Sequence, residues 1–280
     1  MPNAIAQFTD LHASGCFILP NPWDIGSAKY LHHLGFKALA TTSAGFAFSR
    51  GMPDDASVVP LGMVLEHVRE IVQATPLPVN ADFQNGYADH PEQVAENVTR
   101  CAATGVAGLS IEDSTGDNSK PLYDFELAVE RIMAARRAID ASGSNVVLTA
   151  RCEAWLVKDS NPFETSIKRL TAYADAGADC LYAPGVSNPD EITAIIKAVA
   201  PKPINVLVHR SDRNLTFARL ADLGVRRISV GSGLARVAWR AFASAAEEIR
   251  TSGIFDAFGE GAAVPDLNTI FRQGGTRLLD

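Results

Sequence analysis

The sequence lacks the features of several protein classes. No apolar run approaches the roughly 20 residues that a membrane-spanning helix requires, and the opening MPNAIAQ lacks the basic and apolar blocks of a signal peptide. The cysteines, Cys16, Cys101, Cys152 and Cys180, show no close pairing typical of a metal or redox site. We therefore expect a cytoplasmic protein with reduced thiols and no membrane partner.

Positive charge is also scarce. The chain has 25 Lys and Arg against 32 Asp and Glu, which gives a formal charge of −7. Nucleic-acid footprints are basic and clustered, so we expect no nucleic-acid partner. An anionic substrate stays compatible with this balance, because local cations and backbone amides decide its binding.

Several catalytic motifs are missing. No serine lies in a Gly-x-Ser-x-Gly elbow, and no Gly-rich loop of the Walker or dinucleotide kind is present. No lysine follows a strand-like apolar run, which argues against a Schiff-base aldolase barrel. His209 is the only histidine after such a run, and a solvated loop is its more typical setting. The patterns around four more histidines predict surface positions, namely His32, His33, His67 and His90.

Short apolar runs alternate with amphipathic helical stretches along most of the 280 residues. The predicted strands are 16–19, 38–42, 79–82, 108–112, 146–151, 180–182, 204–207 and 228–230. The predicted helices are 24–34, 61–73, 91–104, 124–142, 162–176, 189–198 and 214–223. Eight parallel strands joined by right-handed crossovers predict an α/β fold, a (β/α)8 TIM barrel forming one domain over residues 1–280. An open doubly wound sheet is the alternative.

A C-terminal helical extension, residues 234–280, exceeds what one barrel needs. It contains a long alanine-rich helical stretch at 234–250 and a shorter one at 265–272. Such an extension either packs on a neighbouring subunit, by exchange of helices, or caps the chain's own barrel. Composition favours neither reading.

Three predicted strands end abruptly in charge. They read VNADFQNGY at 79–87, GLSIED at 108–113 and VVLTARCE at 146–153. The carboxyl ends of barrel strands meet at the mouth where ligands bind. Asp82 and Glu112 would converge there, and two close carboxylates are costly without a cation between them. Mg²⁺ suits such a pair, with Gln84 and Asp113 holding metal-bound waters; helix capping or an ion pair with Arg151 is the alternative.

Arg151 ends the fifth strand. Its guanidinium would match the oxygens of a second anionic group on the substrate. An ion pair with Asp82 is the alternative, because Glu153 is expected to point away from Arg151 if the strand continues.

Two long loops, residues 43–60 and 114–123, are predicted to lie over the mouth as lids or ligand loops. The first begins in TSAG at 42–45, whose small residues let backbone N–H groups approach an anion, and Ser43 adds a hydroxyl. Asp54 lies in the same loop. Trp23 follows the first strand and is a candidate for the pocket wall.

Five segments together resemble the isocitrate lyase / phosphoenolpyruvate mutase superfamily. They are NPWDIGSA at 21–28, TSAG at 42–45, ADFQNGY at 81–87, IED at 111–113 and TARCEA at 149–154. The resemblance implies a (β/α)8 barrel whose last helices are exchanged between subunits, giving dimers or tetramers. It also implies Mg²⁺, or Mn²⁺, and the making or breaking of a C–C or P–C bond beside an α-oxo acid.

The resemblance also assigns roles to residues. The implied metal ligands, direct or through water, are Asp82, Glu112 and Gln84. The groups implied to bind the substrate are Ser43, Ala44, Gly45, Trp23 and Arg151. The candidates for catalytic roles are Arg151, Asp54, which would help to close the site, and Tyr87. Tyr87, a solvent proton or a lid residue would serve as the acid, and the sequence leaves this choice open.

The chain departs from the superfamily pattern at several positions. Gln84 stands where many relatives have a second Asp, and the Lys-Lys/Arg-Cys-Gly-His loop of the lyases is absent. The mutase lid is only partly matched, and Ala183 and Pro184 stand where mutases place a His. These departures argue against isocitrate or methylisocitrate cleavage and against phosphonopyruvate rearrangement.

The sequence therefore predicts a Mg²⁺-dependent lyase or decarboxylase. Its substrate would be a small α-oxo or 2-hydroxy carboxylic acid, and its intermediate would be enolate-like. One alternative is an α-oxo acid-binding relative without catalysis, and another is phosphonopyruvate hydrolase or phosphoenolpyruvate mutase-like activity. A homo-oligomer, either a dimer or a tetramer, is the expected assembly.

Overall fold

Eight parallel strands form a nearly closed barrel in the computed structural model, which describes residues 3–260 and 266–272. The strands are β1 (Phe17–Leu19), β2 (Leu39–Ala40), β3 (Val79–Asp82), β4 (Gly108–Glu112), β5 (Val147–Arg151), β6 (Cys180–Tyr182), β7 (Ile204–Leu207) and β8 (Arg227–Ser229). They are hydrogen-bonded in the order β1-β8-β7-β6-β5-β4-β3-β2. Between β1 and β2, the Ala40 amide donates to the Pro20 carbonyl at 3.0 Å. The predicted (β/α)8 TIM barrel is confirmed, and the open-sheet alternative is wrong.

Twelve helices surround or extend the barrel in the described residues. They are α1 (Ala4–Ala13), α2 (Ile25–His33), α3 (Ser43–Ser49), α4 (Leu61–Ala74), α5 (Pro91–Ala102), α6 (Phe125–Ser142), α7 (Pro162–Asp175), α8 (Pro189–Val199), α9 (Phe217–Asp222), α10 (Gly233–Ser252), α11 (Ala257–Glu260) and α12 (Leu267–Arg272). Helices α1, α3 and α11 were not predicted. None of the described helices combines the length and apolar character that crossing a membrane requires.

Polar and apolar residues alternate along the barrel strands. The apolar positions are buried in the main hydrophobic core, among them Leu109, Ile111 and Leu148. The positions between them are buried but polar, as at Ser110 and Thr149. Because successive side chains of a strand point to opposite faces, the polar set shares the barrel interior with the charged residues at the strand ends.

Helix α1 closes the N-terminal end of the barrel. Asn3 caps it by accepting a hydrogen bond from the Ile5 amide at 3.0 Å. Phe8 is fully buried, and its ring meets the His12 ring edge-on at 4.6 Å. A Cβ at position 108 would lie 2.6 Å from the Phe8 ring, so Gly108 is required by this close approach.

His67 lies inside the protein, so its predicted surface position is wrong. It is 4% exposed on α4, and its ring stacks on Phe46 at 4.0 Å between centroids. The apolar face of α4 includes Val64, Val68 and Ile71 and turns His67 inward with it. Burial lowers the pKa of His67 to about 4.

Because His67 and His12 are enclosed, we expect the free energy of unfolding to fall in mild acid. Burial lowers the pKa of His67 to about 4 and that of His12 to about 3, from an ordinary value of 6.5. Both rings stay neutral when folded and take up protons on unfolding, so their contribution is complete above pH 6.5 and falls as the pH drops towards the folded pKa. We expect a loss of about 2–3 kcal/mol per histidine between pH 6.5 and pH 4.5.

Urea unfolding of wild type and His67→Gln at pH 7 and pH 4.5 tests this prediction. The variant should lose less stability between the two pH values, while His90→Gln, at an exposed position, should behave as wild type. An equal loss in wild type and His67→Gln would contradict the assignment.

The C-terminal extension is described in part. Of the residues in α10, Ala235 is buried and most others are exposed. Helix α12 packs on α2 and buries Ile270. The predicted start of the last helix, Pro265, lies outside the described residues, as do residues 273–280. Exchange of this extension between subunits stays a prediction.

Candidate active site

The charged strand ends meet at the barrel mouth around Arg151. Its Nη1 donates to Asp82 Oδ1 at 2.6 Å, its Nη2 lies 3.0 Å from Glu112 Oε2, and its Nε donates to Glu153 Oε1 at 2.9 Å. The guanidinium also lies over the Tyr182 ring, 5.2 Å from its centroid. The ion pair between Arg151 and Asp82, given above as the alternative, is therefore present.

The expectation that Glu153 points away from Arg151 is wrong. Strand β5 ends at Arg151, and the chain then turns, so the alternation of the strand does not extend to Glu153. The turn is held by the Glu153 amide, which donates to Asp113 Oδ1 at 2.8 Å. Glu153 thereby becomes the third carboxylate on the guanidinium.

Asp113 is a structural residue and does not face the mouth, in contrast to the water-holding role expected for it. It is 3% exposed. Its Oδ2 accepts hydrogen bonds from Arg169 Nη1 at 3.1 Å and Tyr173 Oη at 2.7 Å. With the Glu153 amide on Oδ1, both oxygens of this carboxylate are engaged inside the protein.

The loop predicted at residues 43–60 begins with helix α3 and brings a fourth carboxylate to the mouth. Thr42 caps α3 by accepting from the Gly45 amide at 3.2 Å. The Ser43 amide donates to Asp82 Oδ2 at 2.9 Å. Further along the loop, Asp54 accepts from Gln84 Nε2 at 3.1 Å.

The TSAG segment therefore uses two of its three predicted anion-binding amides internally. Ser43 donates to Asp82 and Gly45 donates to Thr42. Within the described part of the chain, the amide of Ala44 has no acceptor. A Cβ at position 45 would lie 2.6 Å from Thr42 Cγ2 and 3.0 Å from Trp23 Cβ, which explains the glycine there.

Carboxylates outnumber the cation at the mouth, and their pKa values respond. Burial, followed by the charge of Asp82, raises the pKa of Asp54. Burial raises the pKa of Glu112 well above 4.5, against the opposing effect of Arg151. Burial also raises the pKa of Glu153. A positive charge brought to this position would favour the ionised form of all three.

Tyr87 lies on the wall of the mouth beside these acids. Burial and the charges of Asp82, Asp54 and Glu112 raise the pKa of its hydroxyl, so Tyr87 keeps its proton and acts as a donor. The backbone is left-handed at both Gln84 (φ 42°) and Tyr87 (φ 53°). Non-glycine residues adopt this conformation at a cost and often do so at functional sites.

Two cavities open at the mouth. The outer one has a volume of about 720 Å³ and is lined in part by Asp54, Glu112, Arg151 and the first residues of the second predicted loop. The inner one, about 170 Å³, reaches down inside the barrel. Among the described residues, neither is lined by a cysteine, histidine or lysine.

The second predicted loop, residues 114–123, is folded back on itself. Ser114 and Leu122 form an antiparallel bridge, and Thr115 Oγ1 donates to the Lys120 carbonyl at 2.6 Å. The loop ends at Tyr123, whose ring lies under the Arg131 guanidinium at 4.0 Å. Ser114 and Thr115 line the outer cavity, as expected for a ligand loop.

Trp23 lies away from both mouth cavities. It lines a separate groove of about 240 Å³ with Ser49, Ala238, Trp239 and Phe242. Its Cβ also packs behind Gly45. At this position Trp23 supports α3 and faces α10, and its contact with substrate stays a prediction.

The side chains at the mouth suit a hard divalent cation. Asp54, Asp82, Glu112 and Gln84 offer oxygen atoms, which Mg²⁺ prefers, and Mg²⁺ commonly uses one or two carboxylates while keeping several waters. The described residues contain no group of three or more acidic, histidine or cysteine side chains arranged to hold a metal. Arg151 lies between Asp82 and Glu112 and occupies one oxygen of each, so water would supply most ligands of a bound ion. The oxygen atoms present fit a Mg²⁺ ion of this kind.

Two uncharged residues hold the site in place. Thr41 was missed by sequence reasoning, whereas Asn21, which follows the first strand, was a candidate for the pocket wall and lines the inner cavity. Thr41 Oγ1 accepts from the Asp82 amide at 2.9 Å, which ties β3 to the residue after β2. Asn21 Oδ1 accepts from the Val230 and Gly231 amides at 3.0 Å and 2.8 Å, and its Nδ2 donates to the Thr41 carbonyl at 2.8 Å. Because Thr41 and Asn21 are uncharged, their one signal in the sequence is the position of a polar side chain just after a strand.

Comparison with known proteins identifies the class. The chain matches the model of the phosphoenolpyruvate phosphomutase family over residues 8–250. It belongs to this family, and the resemblance stated from the motifs is confirmed.

Three relatives illustrate the similarity. The crystal structure of a candidate lyase/mutase from Burkholderia cenocepacia J2315 is 46% identical with a TM-score of 0.88, covering 96% of this chain and 94% of that one. The crystal structure of 2,3-dimethylmalate lyase, a PEP mutase/isocitrate lyase superfamily member, is 28% identical with a TM-score of 0.84, covering 98% and 96%. An oxaloacetate decarboxylase of Chromohalobacter salexigens is 28% identical over 79% of this chain and 76% of that protein. This chain is accordingly an enzyme of the lyase and mutase type.

Proposed function

We propose that this protein is a Mg²⁺-dependent lyase that decarboxylates a small α-oxo dicarboxylic acid of the oxaloacetate type. The observation that carries the proposal is the mouth itself, where four carboxylates surround the single guanidinium of Arg151. An anionic substrate could not approach this excess of negative charge without a cation. Mn²⁺ has the same preference for oxygen ligands and is expected to replace Mg²⁺.

Decarboxylation suits a site with few acid–base groups. The bond between the far carboxylate and the carbon next to the α-oxo group breaks, its electron pair enters the enolate, and CO₂ departs without needing a proton. The enolate then takes a proton from solvent. The two cavities, lined by no described cysteine, histidine or lysine, meet these requirements. When bound, Mg²⁺ would draw electron density from the α-oxo oxygen and lower the energy of the enolate.

The residues around the metal position divide the remaining tasks. The amide of Ala44 and the hydroxyl of Ser43 would bind the α-carboxylate. Arg151 retains donors beyond its three carboxylate contacts, since a guanidinium has five N–H groups, and would orient the substrate. Tyr87, which keeps its proton, would donate a hydrogen bond to it. Asp54 would help to close the mouth above.

Cleavage of a 2-hydroxy acid is the second candidate function. That reaction requires a base to remove the hydroxyl proton, and Asp54 favours it because burial raises the pKa of its carboxyl towards the working range of a base. Phosphonate chemistry has less support, because Ala183 and Pro184 follow β6 where mutases place a histidine.

A coupled assay for pyruvate, with oxaloacetate and Mg²⁺, tests the proposal. Free Mg²⁺ promotes this decarboxylation slowly, so each rate is compared with that of Asp82→Asn at the same metal concentration. Turnover well above the variant and abolished by EDTA would support the proposal. Binding of oxaloacetate without turnover would favour the non-catalytic relative, and turnover of 2-methylisocitrate or phosphonopyruvate instead would overturn the substrate.

Binding is measured separately by thermal shift with the same panel, extended to pyruvate and 2-oxoglutarate. A ligand present at 100 times its Kd stabilises the folded protein by about 2.7 kcal/mol. The shift should depend on Mg²⁺. An equal shift with and without metal would contradict the proposed cation.

We also propose that α10 packs on a second copy of the chain, as a dimer or tetramer. Four large apolar side chains on α10 are open in the single chain: Leu234 is 38% exposed, Val237 57%, Trp239 43% and Phe242 64%. With Trp23, two of them line the 240 Å³ groove beside α3. Patches of this kind on a soluble protein mark interaction sites.

Light scattering of a Trp239→Glu/Phe242→Glu variant tests the assembly. We expect wild type to be a dimer or tetramer and the variant to be a monomer, because two charges would be buried in the apolar contact. Arg240→Glu, on the same helix and exposed, is the matched control and should keep the wild-type mass. A monomeric wild type would contradict the proposal.

The cysteines bear on location. All four, Cys16, Cys101, Cys152 and Cys180, are free thiols. Free thiols are typical of reducing compartments, and we propose a cytoplasmic location on that basis.

A further inference from the structure

Arg227, the first residue of β8, places a guanidinium on the floor of the barrel. It is 2% exposed. Its Nε donates to Asn205 Oδ1 at 3.0 Å, its Nη2 to Thr149 Oγ1 at 3.0 Å, and its Nη1 lies 3.2 Å from His12 Nε2. Within the ranges that the structure describes, no carboxylate lies within ion-pair distance of it.

His12 does not neutralise this charge. Its Nδ1 lies 2.7 Å from the Phe8 carbonyl, which can only accept, so Nδ1 carries the hydrogen and Nε2 accepts from Arg227. Burial and the charge of Arg227 lower the pKa of His12 to about 3, which keeps the ring neutral. A buried cation without an anion is costly. Arg227 also has five N–H donors, and three of them are engaged.

The inner cavity of about 170 Å³ lies directly against this guanidinium. Arg227 lines its floor together with Asn80, Ser110, Asn205 and Ser229, and Asp54, Asp82 and Arg151 line its end nearest the mouth. At about 30 Å³ per water, the space holds five or six waters or one small organic acid. Asn80 is 3% exposed, and its Oδ1 has no hydrogen-bond partner among the described residues. Two independent features of this cavity, a cation and a polar atom, thus lack partners.

The charge reverses between the mouth and the floor. At the mouth, Arg151 is surrounded by Asp82, Glu112 and Glu153. On the floor, Arg227 has only neutral neighbours. Arg131, also buried, differs because its guanidinium donates to three backbone carbonyls and lines neither cavity. An anion inside the inner cavity is therefore drawn towards Arg227.

We propose that Arg227, with Asn80, Ser110 and Ser229, forms an inner subsite that binds a carboxylate group at the floor of the inner cavity, at the other end of that cavity from Asp82 and Arg151. The carboxylate belongs either to a free short-chain acid or to the far end of the substrate. The Ser110 and Ser229 hydroxyls turn to donate to the bound group, each giving up a long contact, to the Ala81 carbonyl at 3.3 Å and to Tyr182 Oη at 3.5 Å. Asn80 Oδ1 accepts from a water that accompanies the group. The subsite follows from the inner cavity alone and does not require the proposed decarboxylation.

Formate, a one-carbon carboxylate, is the probe. It is titrated calorimetrically into the full-length protein in EDTA, so that no metal at the mouth contributes. Wild type should show one saturable site. Arg227→Met should weaken formate binding at least tenfold, because the only cation on the floor is removed. Arg226→Met is the matched control. Arg226 directly precedes Arg227 in the chain, but its Nη1 donates to the Gly15 carbonyl at 2.6 Å, outside the cavity. This variant should bind formate as tightly as wild type.

A second variant keeps the test decisive if Arg227→Met does not fold. Ser110→Val leaves Arg227 in place and puts a methyl group into the inner cavity, and it should also weaken formate binding. Absence of saturable binding in wild type overturns the proposal. The proposal is also overturned if Arg227→Met binds formate with the affinity of wild type. If Arg227→Met does not fold, the same result in Ser110→Val overturns it.

Competition with succinate identifies the source of the carboxylate. If succinate displaces bound formate, the subsite belongs to the far end of a diacid. Formate that stays bound beside succinate assigns it to a separate short acid. Both results support the subsite. The formate titration and the succinate competition do not depend on whether Asp82→Asn loses activity. Failure of the proposed reaction and failure of the subsite are therefore distinguishable.

Discussion

Asp82→Asn is expected to lower kcat/KM for Mg²⁺-dependent decarboxylation by roughly a thousandfold, the scale seen when one preorganised electrostatic group is removed from an active site. Asp82 carries the charge nearest to both Ser43 and Arg151, with contacts of 2.9 Å and 2.6 Å. An amide offers one acceptor where the carboxylate offers two. The variant therefore loses the charge that would hold the proposed Mg²⁺. It also loses one of the two contacts of Asp82, either the one to the Ser43 amide of α3 or the one to Arg151.

The measurement is kcat/KM as a function of Mg²⁺ concentration, with the unfolding midpoint recorded for each variant. Asp10→Asn, an exposed position on α1 at the opposite end of the barrel, is the control and should match wild type. Asp82→Asn with activity within threefold of wild type and the same Mg²⁺ dependence would remove Asp82 from the site.

Asp113→Asn is expected to lower the free energy of unfolding by about 3–5 kcal/mol, because breaking a buried ion pair leaves an uncompensated charge. The charge left behind is that of Arg169, which is 8% exposed and also donates to the Tyr123 carbonyl at 2.7 Å. Burial and Asp113 raise the pKa of Tyr173, so its hydroxyl remains a donor to the same position.

Urea unfolding followed by circular dichroism measures this effect. Tyr173→Phe removes the hydrogen bond to Asp113 and the one accepted from Arg169, but no charge, so a smaller loss of about 2 kcal/mol is expected. If the loss in Asp113→Asn were no larger than in Tyr173→Phe, the ion pair with Arg169 would not be the main role of Asp113.

The predicted elements that agree with the structure are those with a strong local signal. Strands β3, β4, β6 and β7 have the predicted bounds, since each is a short apolar run between a helix and a polar segment. Helix α3 was missed because seven residues, SAGFAFS, give too short a pattern to indicate a helix. His67 was misplaced because a polar side chain on a helix is more often exposed than stacked on a buried ring.

The candidate site divides in the same way. That Asp82, Glu112 and Arg151 lie at the mouth was predictable, because each ends a strand and parallel strands end on one side of a barrel. Which of them touch was not. The Arg151 contact with Glu153 depends on the turn after β5, and the engagement of Asp113 depends on Arg169 and Tyr173 from a different helix.

The barrel, the family and the end of the barrel at which the charged residues gather could all be read from the sequence. These follow from hydrophobic alternation and from residues that are near one another in the chain. The folded chain was needed to show that three carboxylates share Arg151, that Trp23 faces α10, and that Arg227 lies beneath an inner cavity with no described carboxylate at ion-pair distance. Those facts depend on the stagger of the strands and on the turns that follow them, which bring together residues far apart in the chain.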